Sequence, residues 1–290
     1  KPYLDRIAAI RNRDDLLAAF ATPGISSPLA AGVAADAKDS SRYALLFGQG
    51  GLGLPDRDFY LLDTPRYQEI RAKYLDYLTF LLSKAGYAEA RSAAQTVLDL
   101  ETAMAATMWD RTMARNRDLT YNKLTMAELD ALAPGGAARF FLAKLGADGA
   151  GYVLVPQIPP TDDELAAAKL TPEQAAKLGG GLPATLKLID QVPLASWRAW
   201  LAARFLNDHA AVLPAEFDAA SFAFNGTVLN GQPQQRPRWK RGITAVEGQI
   251  GELLGQIYAQ RYFPAASRSE MAKLIANLRR AMAANLAELK

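Results

Sequence analysis

The stretch GQGGLGLPDRD, at residues 48–58, separates two kinds of sequence pattern. Before it, Leu29 to Ala35 and Arg42 to Phe47 are short runs joined by a polar loop, which predicts a β-hairpin within residues 29–54. After it, apolar residues recur every three or four positions over most of the chain, which predicts helices. The sequence therefore predicts a mainly α, multi-helix fold with a small β-hairpin near the N-terminus.

The glycines Gly48, Gly50 and Gly53 spell the G-x-G-x-x-G pattern of dinucleotide-binding folds, directly after a predicted strand. In such folds a helix begins beside these glycines, but here Pro55 and two acids occupy its first positions. The pattern is also not surrounded by alternating strands and helices. We therefore expect a turn whose unusual backbone angles glycine permits, and no nucleotide site.

Four segments have the clearest helical periodicity, with apolar residues on one face. They are Tyr67 to Ala85, Ala88 to Met108, Ile243 to Tyr258 and Met271 to Leu286. Helix starts are predicted by capping boxes and by threonine–proline pairs. The capping boxes begin at Thr125, Thr161 and Ser267, and the threonine–proline pairs begin at Thr64 and Thr171. A further short strand is predicted at Tyr152 to Val155.

Residues 156–183 are rich in proline, glycine and alanine, so we expect a surface excursion there. Gly179 to Gly181 lack the Lys-Ser/Thr ending of a phosphate-binding loop, and they predict a flexible loop instead. The triplet Asn225-Gly226-Thr227 matches a glycosylation acceptor, and an Asn-Gly turn explains it equally well.

The composition is that of an ordinary globular protein, with 290 residues, of which 50% are hydrophobic and 22% charged. The net charge is +3, and the densest basic cluster runs from Arg236 to Arg241. Nucleic-acid binding needs a more concentrated basic face, so no nucleic-acid partner is predicted. No apolar run reaches the ~20 residues of a membrane-spanning helix. We expect Trp109, Trp197 and Trp200 in the core and Trp239 packed inward at a helix start.

The chain has one histidine, His209, and no cysteine, which decides most of its possible chemistry. A zinc-peptidase helix needs two histidines one turn apart plus a glutamate, and thiolate ligands need cysteine. His209 is expected to be a partly exposed helix residue. The acid pairs at residues 14–15 and 162–163 are expected at helix starts, where acids favour the helix dipole. We therefore assign no catalytic residue and no metal ligand, and substrate-binding residues stay unknown.

Several motifs, taken in order, resemble one family. Residues 51–60, GLGLPDRDFY, look like that family's LGLPxRDYY element. Residues 98–125, from Leu98-Asp99-Leu100-Glu101 to the YNKLT segment, are similar to its LE…R…YNKMT stretch. Residues 238–263 match its RWxR…GxLYV…F pattern. Over nearly its whole length the chain thus resembles the neprilysin and endothelin-converting-enzyme family of zinc metallopeptidases, in a bacterial form.

The resemblance implies that residues 1–290 are the N-terminal, lid-forming region of such a peptidase, with the catalytic domain absent. The lid and a C-terminal catalytic domain of the same protein would enclose a cavity that admits small peptides and excludes folded proteins. The family's H-E-x-x-H motif would follow Lys290, so zinc would belong to the parent enzyme and no cofactor to this chain. The family's carboxylate-binding arginines would precede Lys1. The implied location is periplasmic or extracellular.

These expectations lead to two hypotheses of different class. The first is a region of a zinc-dependent endopeptidase or oligopeptidase that hydrolyses small peptides, in which this chain caps the catalytic cavity and limits substrate size. The alternative is a catalytically silent helical peptide-binding module of the same family, and an unrelated helical scaffold is a third. Enzyme activity is not assigned to this chain alone. The first hypothesis also predicts that the isolated region exposes apolar surface.

Overall fold

The change from short strands to long helices appears in the structure where the sequence pattern changes. The computed structural model describes residues 1–289 and divides into two units, one of residues 1–233 and one that begins at Gln234. Of the chain, 62% is helical, and a four-stranded sheet is present near the N-terminus. The predicted mainly α fold class is confirmed.

Twelve α-helices are found among residues 1–233. They are α1 (Pro2–Ala8), α2 (Arg13–Phe20), α3 (Asp58–Leu61), α4 (Pro65–Lys84), α5 (Ala90–Thr107), α6 (Met126–Leu132), α7 (Ala137–Lys144), α8 (Asp162–Ala167), α9 (Pro172–Ala175), α10 (Gly181–Gln191), α11 (Leu194–Asp208) and α12 (Ala215–Ser221). Single 3-10 turns lie at Met113–Arg115 and Ala210–Val212, and a π-helical segment spans Phe222–Leu229.

The sheet joins the predicted hairpin to two later strands. Its strands are β1 (Leu29–Ala35), β2 (Tyr43–Gln49), β3 (Asn122–Leu124) and β4 (Val153–Val155), in the order β1-β2-β4-β3. β1 and β2 form the predicted antiparallel hairpin, and the second strand begins one residue later and ends two residues later than predicted. β4 confirms the strand predicted at Tyr152 to Val155 and pairs parallel with β2, whereas β3 was not predicted.

One face of the sheet packs against helices and forms part of the core. Phe47, Val153 and Val155 have no exposed surface, and the Phe47 ring stacks on Phe141 of α7 with ring centroids 5.9 Å apart. Successive side chains of a strand point to opposite faces, so Leu46 and Leu154, which are paired in register, lie on the other face. The sheet thereby presents a second, more open face that can contribute to a site.

Helices α4, α5 and α11 each bury six or more residues, more than any other described helix, because their apolar stripes face inward. The Thr64 hydroxyl accepts a hydrogen bond from the Tyr67 amide at 3.2 Å, and Pro65 occupies the first turn, as predicted. Trp197 and Trp200 of α11 are fully buried with perpendicular rings 5.6 Å apart, and Trp109 is 3% exposed. The prediction that these three tryptophans lie in the core is confirmed.

The capping boxes predicted at Thr125 and Thr161 are confirmed, and Thr171, predicted as a threonine–proline start, also begins a box. Thr125, Thr161 and Thr171 each begin a reciprocal capping box, with Glu128, Glu164 and Gln174 as the third helical residues. The box predicted at Ser267 is wrong, because the helix already begins at Ala265, directly after Pro264. Proline fixes its own backbone and cannot continue a helix from before it, so the helix starts directly after Pro264, three residues earlier than the predicted box implies.

Residues 156–183 contain α8, α9 and the first turn of α10. A Cβ atom added to Gly179 would overlap the Thr107 and Met108 carbonyl oxygens, and one added to Gly181 would overlap the Gln157 carbonyl oxygen. Gly181 also has a φ of +65°, which strains a residue with a side chain. The glycines therefore make a closely packed connection to the end of α5; Gly179 and Gly180 lie in a loop, as predicted, and Gly181 begins α10.

The Asn-Gly turn predicted at Asn225-Gly226 is also wrong, since these residues lie inside the π-helical segment. The Asn225 amide donates to the Asn207 side chain at 3.2 Å and to the Ser221 hydroxyl at 3.0 Å. A Cβ atom on Gly226 would lie 2.5 Å from the Phe222 ring. Glycine is thus needed here for helix packing and not for a turn.

The second unit consists of α13 (Arg238–Tyr262) and α14 (Ala265–Glu288). The helical backbone of α13 is interrupted at Ile250, whose φ and ψ are −132° and 24°. Neither helix contains a buried residue. Among residues 1–289, no helix is both long enough and apolar enough to cross a membrane.

Candidate functional site

A buried carboxylate links the glycine-rich stretch to four helices of the first unit. Glu101 of α5 has no exposed surface. The hydroxyls of Tyr60 and Tyr74 donate to its Oε2 at 2.7 and 2.9 Å, and the Trp200 indole donates to its Oε1 at 2.9 Å. We call these four residues the Glu101 centre. Because its members come from α3, α4, α5 and α11, the centre fixes how these helices pack.

Burial sets the ionisation of the Glu101 centre. Loss of solvation raises the pKa of the Glu101 carboxyl above its ordinary value, against the opposing effects of the Arg204 charge and the three donors. Burial, followed by the nearby Glu101 charge, also raises the pKa of Tyr60 and of Tyr74 well above 10.0. Both tyrosines therefore stay protonated, which keeps them as hydrogen-bond donors to Glu101.

The glycine-rich stretch is shaped to let the Glu101 centre close. Gly51 has a φ of +85°, so the turn that the sequence predicts is confirmed at this residue. A Cβ atom on Gly53 would overlap the Tyr74 hydroxyl and lie 2.9 Å from Glu101 Oε1. The Leu54 amide donates to the Tyr60 hydroxyl at 2.7 Å. The pattern that resembles a dinucleotide motif thus brings backbone close to a buried carboxylate.

The charged residues after Pro55 connect the stretch to other loops. Arg57 donates to the Lys177 carbonyl oxygen at 2.7 Å, and an Arg111 guanidinium nitrogen lies 3.3 Å from an Asp56 carboxylate oxygen. Burial raises the pKa of Asp58, with Asp56 as the next cause. These contacts hold the segment after α9 against residues 55–58, PDRD. This charged part of the glycine-rich stretch therefore has a positioning role.

A second carboxylate, Asp36, organises the end of the β-hairpin. It is 2% exposed and accepts from the Tyr121 hydroxyl at 2.9 Å, the Tyr152 hydroxyl at 2.8 Å and the Lys38 amide at 2.9 Å. The Lys38 amide, more than the two tyrosine hydroxyls, lowers the pKa of Asp36 to about 2. Asp36 is therefore an anion at neutral pH, with every oxygen engaged inside the protein.

Cations and aromatic rings surround Asp36. The Lys38 ammonium lies 4.3 Å from the centroid of the Tyr121 ring, and the Lys123 ammonium lies 4.0 Å from that of the Tyr152 ring. Both distances are within the range of cation–π attraction. The Asn122 amide donates to the Val155 carbonyl oxygen at 3.0 Å, which ties β3 to β4. The YNK sequence therefore contributes its side chains to one connected polar cluster.

A cleft of about 730 Å³ opens beside this cluster, on the face of the sheet opposite to the core. Its apolar wall includes Leu46, Leu154 and Pro156, and its polar wall includes Lys38, Arg117, Thr120 and Tyr121, with three alanines completing the lining. The charged residues in this lining are the two cations. We call it the sheet cleft.

The histidine and the acid pairs that the sequence analysis weighed as catalytic candidates lie at helix ends. His209 directly follows α11 as its C-cap, with Nδ1 2.8 Å from the Phe205 carbonyl oxygen, and its predicted partial exposure is confirmed. Asp14 and Asp15 lie in the first turn of α2, and Asp162 and Asp163 lie in that of α8, which confirms both helix starts. Within residues 1–289, no group of three or more His, Cys, Asp or Glu side chains could hold a metal ion. The donor set of this chain therefore does not fit a zinc centre.

The sequence did not reveal the roles of Asp36, Tyr60 or Tyr74. Glu101 could have been located, because it lies four residues after Val97 and three before Met104, on the buried stripe of α5. A single acid in an otherwise apolar stripe needs hydrogen-bond partners. Asp36 carries no such signal, since it lies in a polar loop whose partners come from distant segments.

The helices of the second unit expose their apolar stripes. On α13 the large apolar side chains are between 38% and 63% exposed, and on α14 they are between 45% and 65% exposed. Trp239 is 63% exposed, so the prediction that it packs inward is wrong. No residue of its helix is buried, and the Lys240 ammonium lies 5.3 Å from its ring centroid. Exposed apolar stripes of this length mark an interaction surface.

The fold is mainly helical and is built around buried carboxylates. Its described residues contain no cluster of side chains that could hold a metal ion. The family model for the N-terminal part of peptidase family M13 matches residues 1–290. Human endothelin-converting enzyme 1 is 29% identical over 262 residues, which cover 89% of this chain and 32% of that enzyme. This chain belongs to peptidase family M13, and it matches the N-terminal region of that family.

Solved structures agree with this membership. The Mycobacterium tuberculosis zinc metalloprotease Zmp1 in complex with an inhibitor is 28% identical, with a TM-score of 0.79 over 97% of this chain and 40% of that protein. The structure of Zmp1 in an open state has the same identity and TM-score and is covered to 41%. The chain therefore spans about a third of the curated relatives it matches and about two fifths of these structures.

Proposed function

We propose that this chain is the N-terminal, non-catalytic region of a zinc-dependent endopeptidase or oligopeptidase that hydrolyses small peptides. In this proposal it packs against a C-terminal catalytic domain of the same protein, caps the catalytic cavity and limits the size of substrates. The single observation that carries the proposal is the pair of exposed apolar stripes on α13 and α14. Membership of family M13 supplies the class of chemistry.

The apolar stripes support a partner of substantial size. Six large apolar residues lie on α14 alone, namely Met271, Leu274, Ile275, Leu278, Met282 and Leu286, and each is at least 45% exposed. Full burial of one such side chain contributes roughly 1.5–3 kcal/mol, so covering the exposed half contributes about 1 kcal/mol per residue. A stripe of six would therefore contribute on the order of 6 kcal/mol to association, before the entropic cost of docking.

Zinc enters the proposal only through the partner domain. The donor set of this chain does not fit zinc, so the metal would be held by residues of the catalytic domain. This chain's own contribution would be to shape the cavity and to exclude large substrates. We also propose, from the family resemblance, a periplasmic or extracellular location in a bacterium.

The proposal is tested with the complete protein. Reading the coding sequence past Lys290 should reveal an H-E-x-x-H segment, and the purified complete protein should cleave short peptides. Activity should be lost with a zinc chelator and restored by added zinc. A folded protein that contains the same cleavable sequence should resist cleavage. A complete protein that cleaves folded and short substrates equally well would contradict the size-limiting role.

The alternative, a catalytically silent peptide-binding module of the same family, gives a different result. Such a protein would bind short peptides in equilibrium measurements and would release them intact after long incubation with zinc. The sheet cleft is the observation that favours peptide binding by this chain in either case. Chelator-sensitive hydrolysis by the complete protein would exclude the silent module.

A further inference from the structure

We propose that the sheet cleft is a subsite for a peptide carboxylate, held between Lys38 and Arg117 with the neighbouring apolar side chain of the peptide on the sheet. The inference rests on the proposed role in peptide hydrolysis and adds a substrate preference to it. Its volume of about 730 Å³ lies within the range of roughly 300–1,000 Å³ that small-ligand sites occupy.

The charge of the lining selects the ligand. Lys38 and Arg117 are the charged residues of the lining, and both are exposed. Asp36 lies nearby, but its oxygens accept from Tyr121, Tyr152 and the Lys38 amide, and it is not part of the lining. An anion in the cleft therefore meets two cations directly and no acid. A carboxylate matches this arrangement, because both cations can donate hydrogen bonds to it.

The two cations are placed by structured segments. Lys38 follows Asp36 in the turn between β1 and β2, and its amide is fixed by that carboxylate. Arg117 lies in a turn held by Asn116, whose side chain accepts from the Asp118 amide at 3.0 Å and whose carbonyl oxygen accepts from the Thr120 amide at 3.0 Å. Backbone positions that are already fixed reduce the entropy lost when a ligand binds.

The opposite wall explains why the ligand should be a peptide and not a bare anion. Leu46 is half-buried and Leu154 is 4% exposed, and both lie with Pro156 on the outer face of the sheet. A small anion would leave in water the exposed part of this wall, which Leu46 and Pro156 provide. A peptide can place a carboxylate between the cations and an adjacent apolar side chain on the wall, which satisfies both halves of the cleft.

The experiment measures equilibrium binding to the 290-residue chain by calorimetry, with three synthetic peptides. One is acetyl-AFELAA-amide, the second has glutamine in place of glutamate, and the third is the glutamine peptide with a free C-terminal carboxylate. We expect one or both acidic peptides to bind roughly 5- to 30-fold more tightly than the neutral one, as two exposed ion pairs allow. Comparing the first and third peptides tells whether a side-chain or a terminal carboxylate is preferred.

The variant that tests the site is Lys38→Gln combined with Arg117→Gln. The matched control is Arg115→Gln, which removes a cation two residues away that does not line the cleft. The double variant should bind all three peptides with the affinity of the neutral one, while the control keeps the acidic preference. Circular dichroism of each variant checks that it is folded.

Equal affinities for the three peptides, no binding of any of them, or an acidic preference that survives in the folded double variant would each overturn the inference. None of these results touches the proposed function, which is judged separately by the chelator-sensitive activity of the complete protein. Conversely, a protein without such activity that still shows the acidic preference would refute the peptidase proposal and keep the subsite.

Discussion

Replacing Glu101 with alanine should destabilise the first unit more than replacing any exposed acid on the same helix. The Tyr60 hydroxyl, the Tyr74 hydroxyl and the Trp200 indole would each lose their acceptor in a site without solvent. A buried donor without a partner costs about 1–3 kcal/mol, so three donors cost about 3–9 kcal/mol. Since domains are stable by roughly 5–15 kcal/mol, much of the unfolding free energy would be lost.

Glu101→Gln gives a second, milder perturbation of the same site. The amide keeps one acceptor oxygen, so it can serve either the two tyrosines or Trp200, and we expect a loss of about 1–3 kcal/mol. Burial raises the pKa of Glu101 above its ordinary value of 4.5, so the folded chain holds this proton more tightly than the unfolded chain. The advantage of the wild type over the glutamine variant should therefore be greatest below pH 4.5 and decline as the pH rises through the folded-state pKa.

Urea unfolding followed by tryptophan fluorescence measures these differences, because Trp197 and Trp200 are buried beside the site. Glu89→Ala is the control, since Glu89 is exposed at the start of α5 and makes no capping hydrogen bond. It should change the unfolding free energy by less than about 0.5 kcal/mol. A loss of less than about 1 kcal/mol in Glu101→Ala, or a wild-type advantage over Glu101→Gln that grows with pH, would refute the reasoning.

Three further predictions concern other features. Asp36→Asn should lower the free energy of unfolding by its full amount above pH 3.8 and by progressively less as the pH falls through about 2, because the pKa of Asp36 is lowered to about 2. Urea titrations at several pH values measure this difference, and a difference independent of pH would contradict the prediction. Gly53→Ala should lower the free energy of unfolding by about 1–3 kcal/mol, because the added Cβ would overlap the Tyr74 hydroxyl. Gly255→Ala in α13 has open space around it and should be neutral or stabilising by up to about 1 kcal/mol. Equal effects of the two variants in thermal unfolding would count against the close approach at Gly53. Leu274→Asp should reduce the fluorescence of a bound hydrophobic dye without lowering the melting temperature of the first unit, since the Leu274 side chain is 51% exposed. Unchanged dye fluorescence would argue that the dye does not bind to the apolar stripe of α14.

Features that depend on neighbouring residues were predictable from the sequence. The capping boxes at Thr125 and Thr161 depend on a side chain and an amide three residues apart, so the sequence alone defines them. The hairpin strands were found for a similar reason, because β1 and β2 are joined by a short polar loop. The capping box predicted at Ser267 is absent because Pro264, three residues earlier, already determines the start of the helix.

Features that depend on distant residues were not predictable in this way. β3 has three residues, and its pairing with β4 provides the hydrogen bonds that make it a strand. The three donors to Glu101 lie between 27 and 99 residues away from it. The sheet cleft combines residues of the hairpin, the segment after α5, and β4 with the proline that follows it, so no local pattern could have located it.

The parallel pairing of β2 with β4 has a consequence for folding during synthesis. Leu45 pairs with Val153, about a hundred residues later in the chain. Ribosomes add roughly 5–20 residues per second, whereas a hairpin forms within about 10 μs. The newly made β1–β2 hairpin must therefore wait on the order of 5–20 s with one edge of β2 open. During that interval its apolar side chains, Phe47 among them, are available to chaperones and to other nascent chains.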